Sequence, residues 1–376
     1  MKILLIGEYY SDNLGDPLLC QTVESIIKDA YPQAEVIPFD MSGKTSQTST
    51  YLLGDYDLGT KIFLKLIQLF PEIFLKSAFF RAYKANEHRY LRVWCTLNEL
   101  LKLHKFDLAI FAGGSLFMDY FAGVIYMIVK RLGSTKIIFH ACGMSRLDAD
   151  SEYLLNYALR SKNIRSISLR DSYMRFLDLF PTHAEVIETY DTALGCSNYY
   201  NPAPTHIADY GIGLMEHSSF AEQQKQLILQ LLESKVSWKV FTNGARHDYV
   251  HAKKILAECG ITECQMNDYL VPRPCSSDEF VTTVTQFKKI ISFRMHSLIV
   301  ANSFGIPCFG FAWDYKVVDL FEKLGLPHNY ATEKISFGEI ENTLNKRISD
   351  TRAIAAAQSK ESQICLIQSV SKALSK

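Results

Sequence analysis

The chain has 376 residues, 48 % of them hydrophobic, which is enough for a large core and indicates two domains. Lys and Arg total 40, as do Asp and Glu. This balance excludes the overall positive field of a non-specific nucleic-acid binder, so no nucleic acid is expected as a partner. The nine cysteines contain no CxxC pair and are interpreted as buried thiols, so no metal site is predicted.

The N-terminal half alternates short apolar runs with helical patterns, which is typical of a parallel sheet covered by helices. The first helix is predicted to begin with Asp16 as its N-cap and Pro17 at its first helical position, and to run to about Tyr31. Strands are predicted at residues 2–9, 34–39, 107–111, 136–140 and 164–169. This half is therefore predicted to be a doubly wound, Rossmann-like domain.

The alternation restarts after a linker at residues 199–206. Strands are predicted at residues 210–215, 238–242, 289–292 and 307–311, and a helical tail from about Phe337. The predicted domains are residues 1–200 and 201–340, followed by the tail at 341–376. Two Rossmann-like α/β domains in tandem resemble the GT-B arrangement of glycosyltransferases, with a cleft between the domains.

Residues 61–84 mix apolar and basic side chains, are interrupted by Pro71, and contain few acidic groups. This composition suits a helix lying at an anionic membrane surface, where it would meet a lipid-linked acceptor. The alternative is a pair of helices that pack on the sheet and expose their lysines. Because Met1-Lys2 runs directly into a short apolar strand, no signal peptide is visible. We therefore expect a cytoplasmic protein, with peripheral contact at the inner face of the membrane if the segment binds lipid.

Ligands of open α/β sheets bind beyond the carboxyl ends of the strands, so the loops that follow the strands are the candidate binding sites. After the first strand, Asn13 and Asp16 lie in a polar turn that leads into a helix N-terminus, which favours an anion or a sugar hydroxyl. Gly113-Gly114-Ser115 would let a ligand approach the backbone, or would simply form a tight turn. Arg170 can present its guanidinium to an anion, or can pair with Asp171.

In the second domain, Asn243 follows a strand and can contact a ligand. Arg294 and His296 are predicted at the mouth of another strand, two residues apart and facing the same way. They combine a fixed cation with a group that titrates near neutral pH. Lys316 adds a cation after the next strand along the chain.

In their order, these motifs resemble those of the polysaccharide pyruvyl transferase family. The matching segments are Asn-x-Gly-Asp at 13–16, Gly-Gly-Ser at 113–115, Arg-Asp at 170–171, Asp-x-Ala at 191–193, Ser-x-Arg-x-His at 292–296, Gly-Ile-Pro at 305–307 and Asp-x-Lys at 314–316. The resemblance implies a GT-B-like fold and phosphoenolpyruvate as donor substrate, with no cofactor. It also implies a sugar of a surface polysaccharide, such as an exopolysaccharide or capsule, or of its lipid-linked precursor, as acceptor.

Phosphoenolpyruvate carries a phosphate and a carboxylate, which Arg170, Arg294 and Lys316 can neutralise without a metal. His296 is the candidate acid and Asp16 the candidate base. Two other functions stay open: a GT-B glycosyltransferase that uses a nucleotide sugar, and a catalytically idle protein that binds glycan or membrane.

Overall fold

The computed structural model describes residues 1–46, 65, 81–82, 87–203, 205–346 and 351–375. Within them the chain forms two compact units. The first comprises Met1–Ser11, Leu19–Asp191 and Glu361–Lys376, and the second comprises Asp12–Leu18 and Thr192–Lys360. The division therefore falls after Asp191, not at residue 200, and the C-terminal tail is shared between the units.

The first unit contains a six-stranded parallel sheet in the order β2-β1-β3-β4-β5-β6. Its strands are β1 (Lys2–Gly7), β2 (Glu35–Asp40), β3 (Leu108–Phe117), β4 (Lys136–Met144), β5 (Ile164–Leu169) and β6 (Glu185–Glu188). The order reverses between β1 and β3, which is where such sheets bind ligands.

The described helices of the N-terminal half are α1 (Gly15–Ala30), α2 (Glu87–Leu103), α3 (Asp119–Leu132), α4 (Ala149–Leu159) and α5 (Tyr173–Leu179). The apolar face predicted for α1 is confirmed, because Leu18, Leu19, Val23, Ile26 and Ile27 are all buried. The predicted N-cap is wrong, since Asp16 lies inside the first turn of α1.

The second unit contains a five-stranded parallel sheet in the order β11-β10-β9-β7-β8. Its strands are β7 (Ala208–Gly213), β8 (Trp238–Phe241), β9 (Phe287–Ser292), β10 (Cys308–Phe311) and β11 (Tyr330–Ala331). β7 and β9 are hydrogen-bonded neighbours, and the order reverses at this pair. The carboxyl ends of β7 and β9 therefore mark the expected binding position of this sheet.

The helices that follow are α6 (Ala221–Glu233), α7 (Arg246–Glu258), α8 (Met266–Tyr269), α9 (Ser277–Thr285), α10 (Met295–Ser303), α11 (Tyr315–Lys323), α12 (Phe337–Asn345) and α13 (Thr351–Ser375). The helical character predicted for the tail is confirmed by α12 and α13. Each unit has its own apolar core; stacked rings of Phe111 and Phe139 lie in the first, and those of Phe293 and Phe311 in the second.

Residues 61–84 lie outside the described part of the chain except for Lys65, Arg81 and Ala82. The membrane contact predicted for this segment stays a prediction. Among the described helices, none is long and apolar enough to cross a membrane.

Candidate functional site

The strongest candidate site lies at the carboxyl edge of the second unit's sheet, where α10 begins. Arg294 and His296 follow the carboxyl end of β9, as the sequence predicted; Arg294 is the N-cap of α10 and His296 lies in its first turn. No side chain caps this helix. The amide groups of its first turn, together with the helix dipole, therefore favour an anion here.

A bidentate ion pair holds Arg294 in place. Its Nε donates to Asp248 Oδ2 at 2.8 Å and its Nη2 to Asp248 Oδ1 at 2.8 Å. Asp248 is fully buried and also accepts a hydrogen bond from the backbone N–H of Glu216 at 2.8 Å. The Nη1 of Arg294 donates to no described residue, and the side chain is 19 % exposed. One edge of the guanidinium therefore remains available to a ligand while Asp248 fixes its orientation.

Residues 12–18 contact the same edge, although they come from the N-terminal half of the sequence. The N–H of Leu14 donates to the Asn243 carbonyl at 2.8 Å. A Cβ on Gly15 would lie only 2.1 Å from Nδ1 of His296, so the backbone at Gly15 packs directly against the imidazole. The turn was assigned to the first domain in the sequence, but these contacts place it in the second unit.

Asn243 lies beneath this turn and is 1 % exposed. Its Oδ1 accepts a hydrogen bond from the hydroxyl of Ser297, in the first turn of α10. Its Nδ2 is buried and has no hydrogen-bond partner among the described residues. Because a buried donor without an acceptor costs free energy, this amide is suited to a ligand oxygen that reaches it.

Asp16 and Lys316 lie at the N-termini of two further helices. The Nδ2 of Asn13 donates to Oδ2 of Asp16 at 3.0 Å, which holds that carboxylate in the first turn of α1. Lys316 lies in the first turn of α11. The side chain of Asp314 caps this helix by accepting a hydrogen bond from the backbone N–H of Lys316. Because β10 pairs with β9, Lys316 follows the strand next to the one that precedes Arg294.

In the first unit, Arg170 is buried and forms ion pairs with two carboxylates. Its Nη1 contacts Asp191, its Nε lies 3.6 Å from Asp171 Oδ2, and its Nη2 lies 3.4 Å from the Ser115 hydroxyl. Asp171 also accepts from the N–H of Met144 at 2.8 Å. The ion pair that the sequence left open is therefore present, and it ties the carboxyl ends of β3, β4 and β5 together. A direct substrate contact of Arg170 stays a prediction.

The Gly-Gly-Ser segment also differs from its predicted form, because β3 continues through it to Phe117. Gly113 has a φ of +60°, and a Cβ there would lie 2.6 Å from the Leu19 side chain on α1. Gly113 is thus required for close packing of helix on strand. Gly114 has a φ of +79° but more space around it, because a Cβ there would lie 3.9 Å from its nearest neighbour, a side-chain carbon of Leu116. Ligand contacts of these glycines stay a prediction.

Sequence reasoning missed Asp248 as the partner of Arg294. The only signal was its place in a loop after a strand of the same sheet. It also missed Arg273, which donates to the carbonyl of Gly244 at 2.7 Å and so supports the loop that carries Asn243. No pattern in the sequence pointed to Arg273.

Two further basic side chains, Lys44 and Arg89, lie in the first unit. Lys44 Nζ donates to the Tyr10 carbonyl at 3.1 Å, and the buried Arg89 guanidinium lies 3.5 Å from the centroid of the Tyr120 ring. Burial lowers the pKa of Arg89 from its ordinary value.

Among the described residues, no group of three or more His, Cys, Asp or Glu side chains could hold a metal ion.

Comparison with solved structures shows which fold class these units belong to. The fold is similar to that of a putative UDP-N-acetylglucosamine 2-epimerase from Listeria monocytogenes, at a TM-score of 0.55 and 9 % identity over 98 % of this chain and 91 % of that one. It is also similar to the UDP-GlcNAc 2-epimerase of Neisseria meningitidis, at a TM-score of 0.54 and 11 % identity over 99 % and 100 %. These likenesses confirm the predicted GT-B fold class with two Rossmann-like domains.

Sequence comparison identifies the family. The chain is 22 % identical over 377 residues to the amylovoran biosynthesis protein AmsJ of Erwinia amylovora, covering 87 % of each chain. The model of the polysaccharide pyruvyl transferase family matches residues 13–315, which contain the Asn-x-Gly-Asp turn and the Arg-x-His segment. The chain belongs to the polysaccharide pyruvyl transferase family.

Proposed function

We propose that the chain transfers pyruvate from phosphoenolpyruvate to a sugar of a surface polysaccharide or its lipid-linked precursor, forming a ketal. One observation carries the proposal: Arg294, His296, Asn243 and the turn around Gly15 converge where α10 begins. This edge combines an oriented cation, an imidazole, a buried amide donor and an uncapped helix N-terminus. A small molecule with two anionic groups and a site for protonation fits such a set of groups.

In the proposed donor complex, the free edge of the Arg294 guanidinium pairs with the phosphate or the carboxylate. The N-terminus of α10 and Asn243 donate to the remaining oxygens, and Lys316 supplies a second cation. Asp248 contributes indirectly, because a guanidinium held at two points loses less conformational entropy when the donor binds.

In the proposed reaction, His296 donates a proton to the methylene carbon, which becomes the methyl group of pyruvate. The central carbon is then electrophilic, and a sugar hydroxyl oxygen forms a bond to it. A second hydroxyl of the same sugar bonds to that carbon while the C–O bond to phosphate breaks. The two hydroxyl protons balance the reaction: one restores His296, with Asp16 as the candidate base that relays it, and the other leaves on phosphate.

Donor preference can be tested by thermal shift on the full chain with phosphoenolpyruvate or UDP-GlcNAc. Phosphoenolpyruvate should raise Tm, because a ligand that binds only the folded state stabilises it by about 2.7 kcal/mol at a hundredfold excess over Kd. Arg294→Gln should abolish the shift. Lys288→Gln, at the opposite end of β9 and paired with Asp209, should leave it unchanged. A shift with UDP-GlcNAc alone would instead favour the nucleotide-sugar glycosyltransferase.

Turnover can be tested by incubating the chain with phosphoenolpyruvate and glycan precursors from the cells that make it. A pyruvyl adduct should appear by mass spectrometry, with release of phosphate. The idle-binder alternative predicts no turnover of any donor. His296→Ala should slow phosphate release by about 100- to 10,000-fold, the usual contribution of a general acid. Wild-type phosphate release by His296→Ala, with the acceptor present, would refute its role.

A further inference from the structure

The first unit has a groove that takes no part in the proposed transfer reaction. It lies along α3, α4 and α5, on the helical layer, is open to solvent, and has a volume of about 770 Å³. This volume is within the range of small-molecule sites in proteins, about 300–1,000 Å³. Its lining mixes aromatic, charged and amide side chains, and none of them belongs to the proposed donor site.

Two tyrosines on α4 form an aromatic surface along this groove. Tyr153 is 43 % exposed and Tyr157 is 47 % exposed, and their spacing of four residues places them on one face of the helix. One face of each ring is held by a cation: Lys130 Nζ lies over the Tyr157 ring at 4.3 Å from its centroid, and the Arg81 guanidinium lies over the Tyr153 ring at 4.9 Å. The Tyr126 ring also packs against the Tyr157 ring at 5.6 Å. Two amphipathic rings, ordered but open to solvent, can stack on the apolar faces of sugars.

The polar groups of the groove are balanced in charge and in hydrogen-bonding type. Lys130 and Arg160 supply two cations, and Glu152 and Asp178 supply two carboxylates. The Nδ2 of Asn156 donates to the Leu179 carbonyl at 3.4 Å, whereas its Oδ1 is buried and has no hydrogen-bond partner among the described residues. Because the two cations and the two carboxylates balance, the groove does not favour a strongly charged ligand. Donors and acceptors beside exposed rings match the hydroxyl groups and apolar faces of a neutral sugar.

We propose that this groove binds a neutral oligosaccharide segment of the acceptor glycan, at sugars other than the one that reacts. The inference rests on the proposed function, because a chain that modifies a polysaccharide gains affinity by holding more than one residue of it. Binding at a second position would raise the local concentration of the acceptor without any new contact at the reacting sugar.

The experiment measures binding of hexaoses of glucose and of galactose to the full chain, by saturation-transfer NMR and calorimetry, without phosphoenolpyruvate. At least one hexaose should bind. Tyr153→Ala/Tyr157→Ala should weaken binding by about tenfold, as expected for loss of two aromatic contacts. The ring-retaining variant Tyr153→Phe/Tyr157→Phe should bind almost as well as wild type. Tyr153→Ala alone gives a smaller loss in the same direction and serves if the double variant does not fold.

A matched control is Val250→Ala, which changes an exposed side chain on α7 of the other unit and should have no effect. Failure of every hexaose to bind, or equal binding by the double alanine variant, would overturn the groove proposal. Because the assay contains no donor, its result is separate from the proposed function. Tyrosine-dependent binding in a chain that phosphoenolpyruvate does not stabilise would support the groove and count against pyruvyl transfer.

Discussion

Substituting alanine for Gly15 tests the packing of α1 against His296. The added Cβ would lie 2.1 Å from Nδ1, 2.2 Å from Cγ and 2.5 Å from Cβ of the imidazole side chain. Carbon atoms in contact are normally about 3.5–4.0 Å apart, so the ring or the helix must move by more than about 1 Å. Overpacking of this kind costs about 1–3 kcal/mol, and an acid moved by that distance no longer reaches the reacting carbon.

Gly15→Ala should therefore reduce kcat for phosphate release by about 100-fold or more, approaching the His296→Ala variant, and lower Tm by several degrees. The assay is phosphate release from phosphoenolpyruvate with the glycan acceptor present. Gly338→Ala is the matched control, because a Cβ on Gly338 in α12 meets no atom within 4 Å. A folded Gly15→Ala enzyme with wild-type kcat would refute the packing that places His296 in the site.

Two further predictions concern the first unit. Arg170→Met leaves the buried carboxylates of Asp171 and Asp191 without their cation. It should therefore lower the free energy of unfolding by about 3–5 kcal/mol in urea titrations. Unchanged stability with a raised KM for phosphoenolpyruvate would instead indicate a substrate contact. Burial lowers the pKa of His140 to about 3, below the value of about 6.5 expected when unfolded, so the unfolded chain takes up the proton first as the pH falls. The free energy of unfolding should therefore decrease from about pH 6.5 towards pH 3, by about 2 kcal/mol between pH 6.5 and 5. His140→Gln should flatten this decrease. An identical pH dependence of the variant and the wild type would contradict the role of His140.

Local pattern alone predicted most of the fold. The strand at residues 164–169 matches β5 in full, and the apolar face of α1 is buried as expected. β1 and β8 were found with an error of one or two residues at one end. β6 and β11 were missed, because β6 has only four residues, two of them glutamates, and β11 has only two residues. Strands this short carry too little periodicity to be recognised.

The glycine-rich segment shows a different limit. Paired glycines read as the end of a strand, yet β3 continues through Gly113 to Phe117. The reason is tertiary, because Gly113 is needed where Leu19 of α1 packs on the strand. Neither the helix nor its distance from the strand is visible in the local sequence.

The sequence by itself determined the class of protein: two α/β halves, polar loops after the strands, and the ordered motifs of one transferase family. It also determined which residue types were available at the site, including Arg294, His296 and Asn243. Only the tertiary structure decided their partners. Asp248 orients Arg294 from the first turn of α7, Asp191 pairs with Arg170, and Gly15 from the N-terminal half packs on His296 in the second unit. These contacts join residues far apart along the chain, and their distances depend on how helices pack on the sheet, which no local pattern encodes.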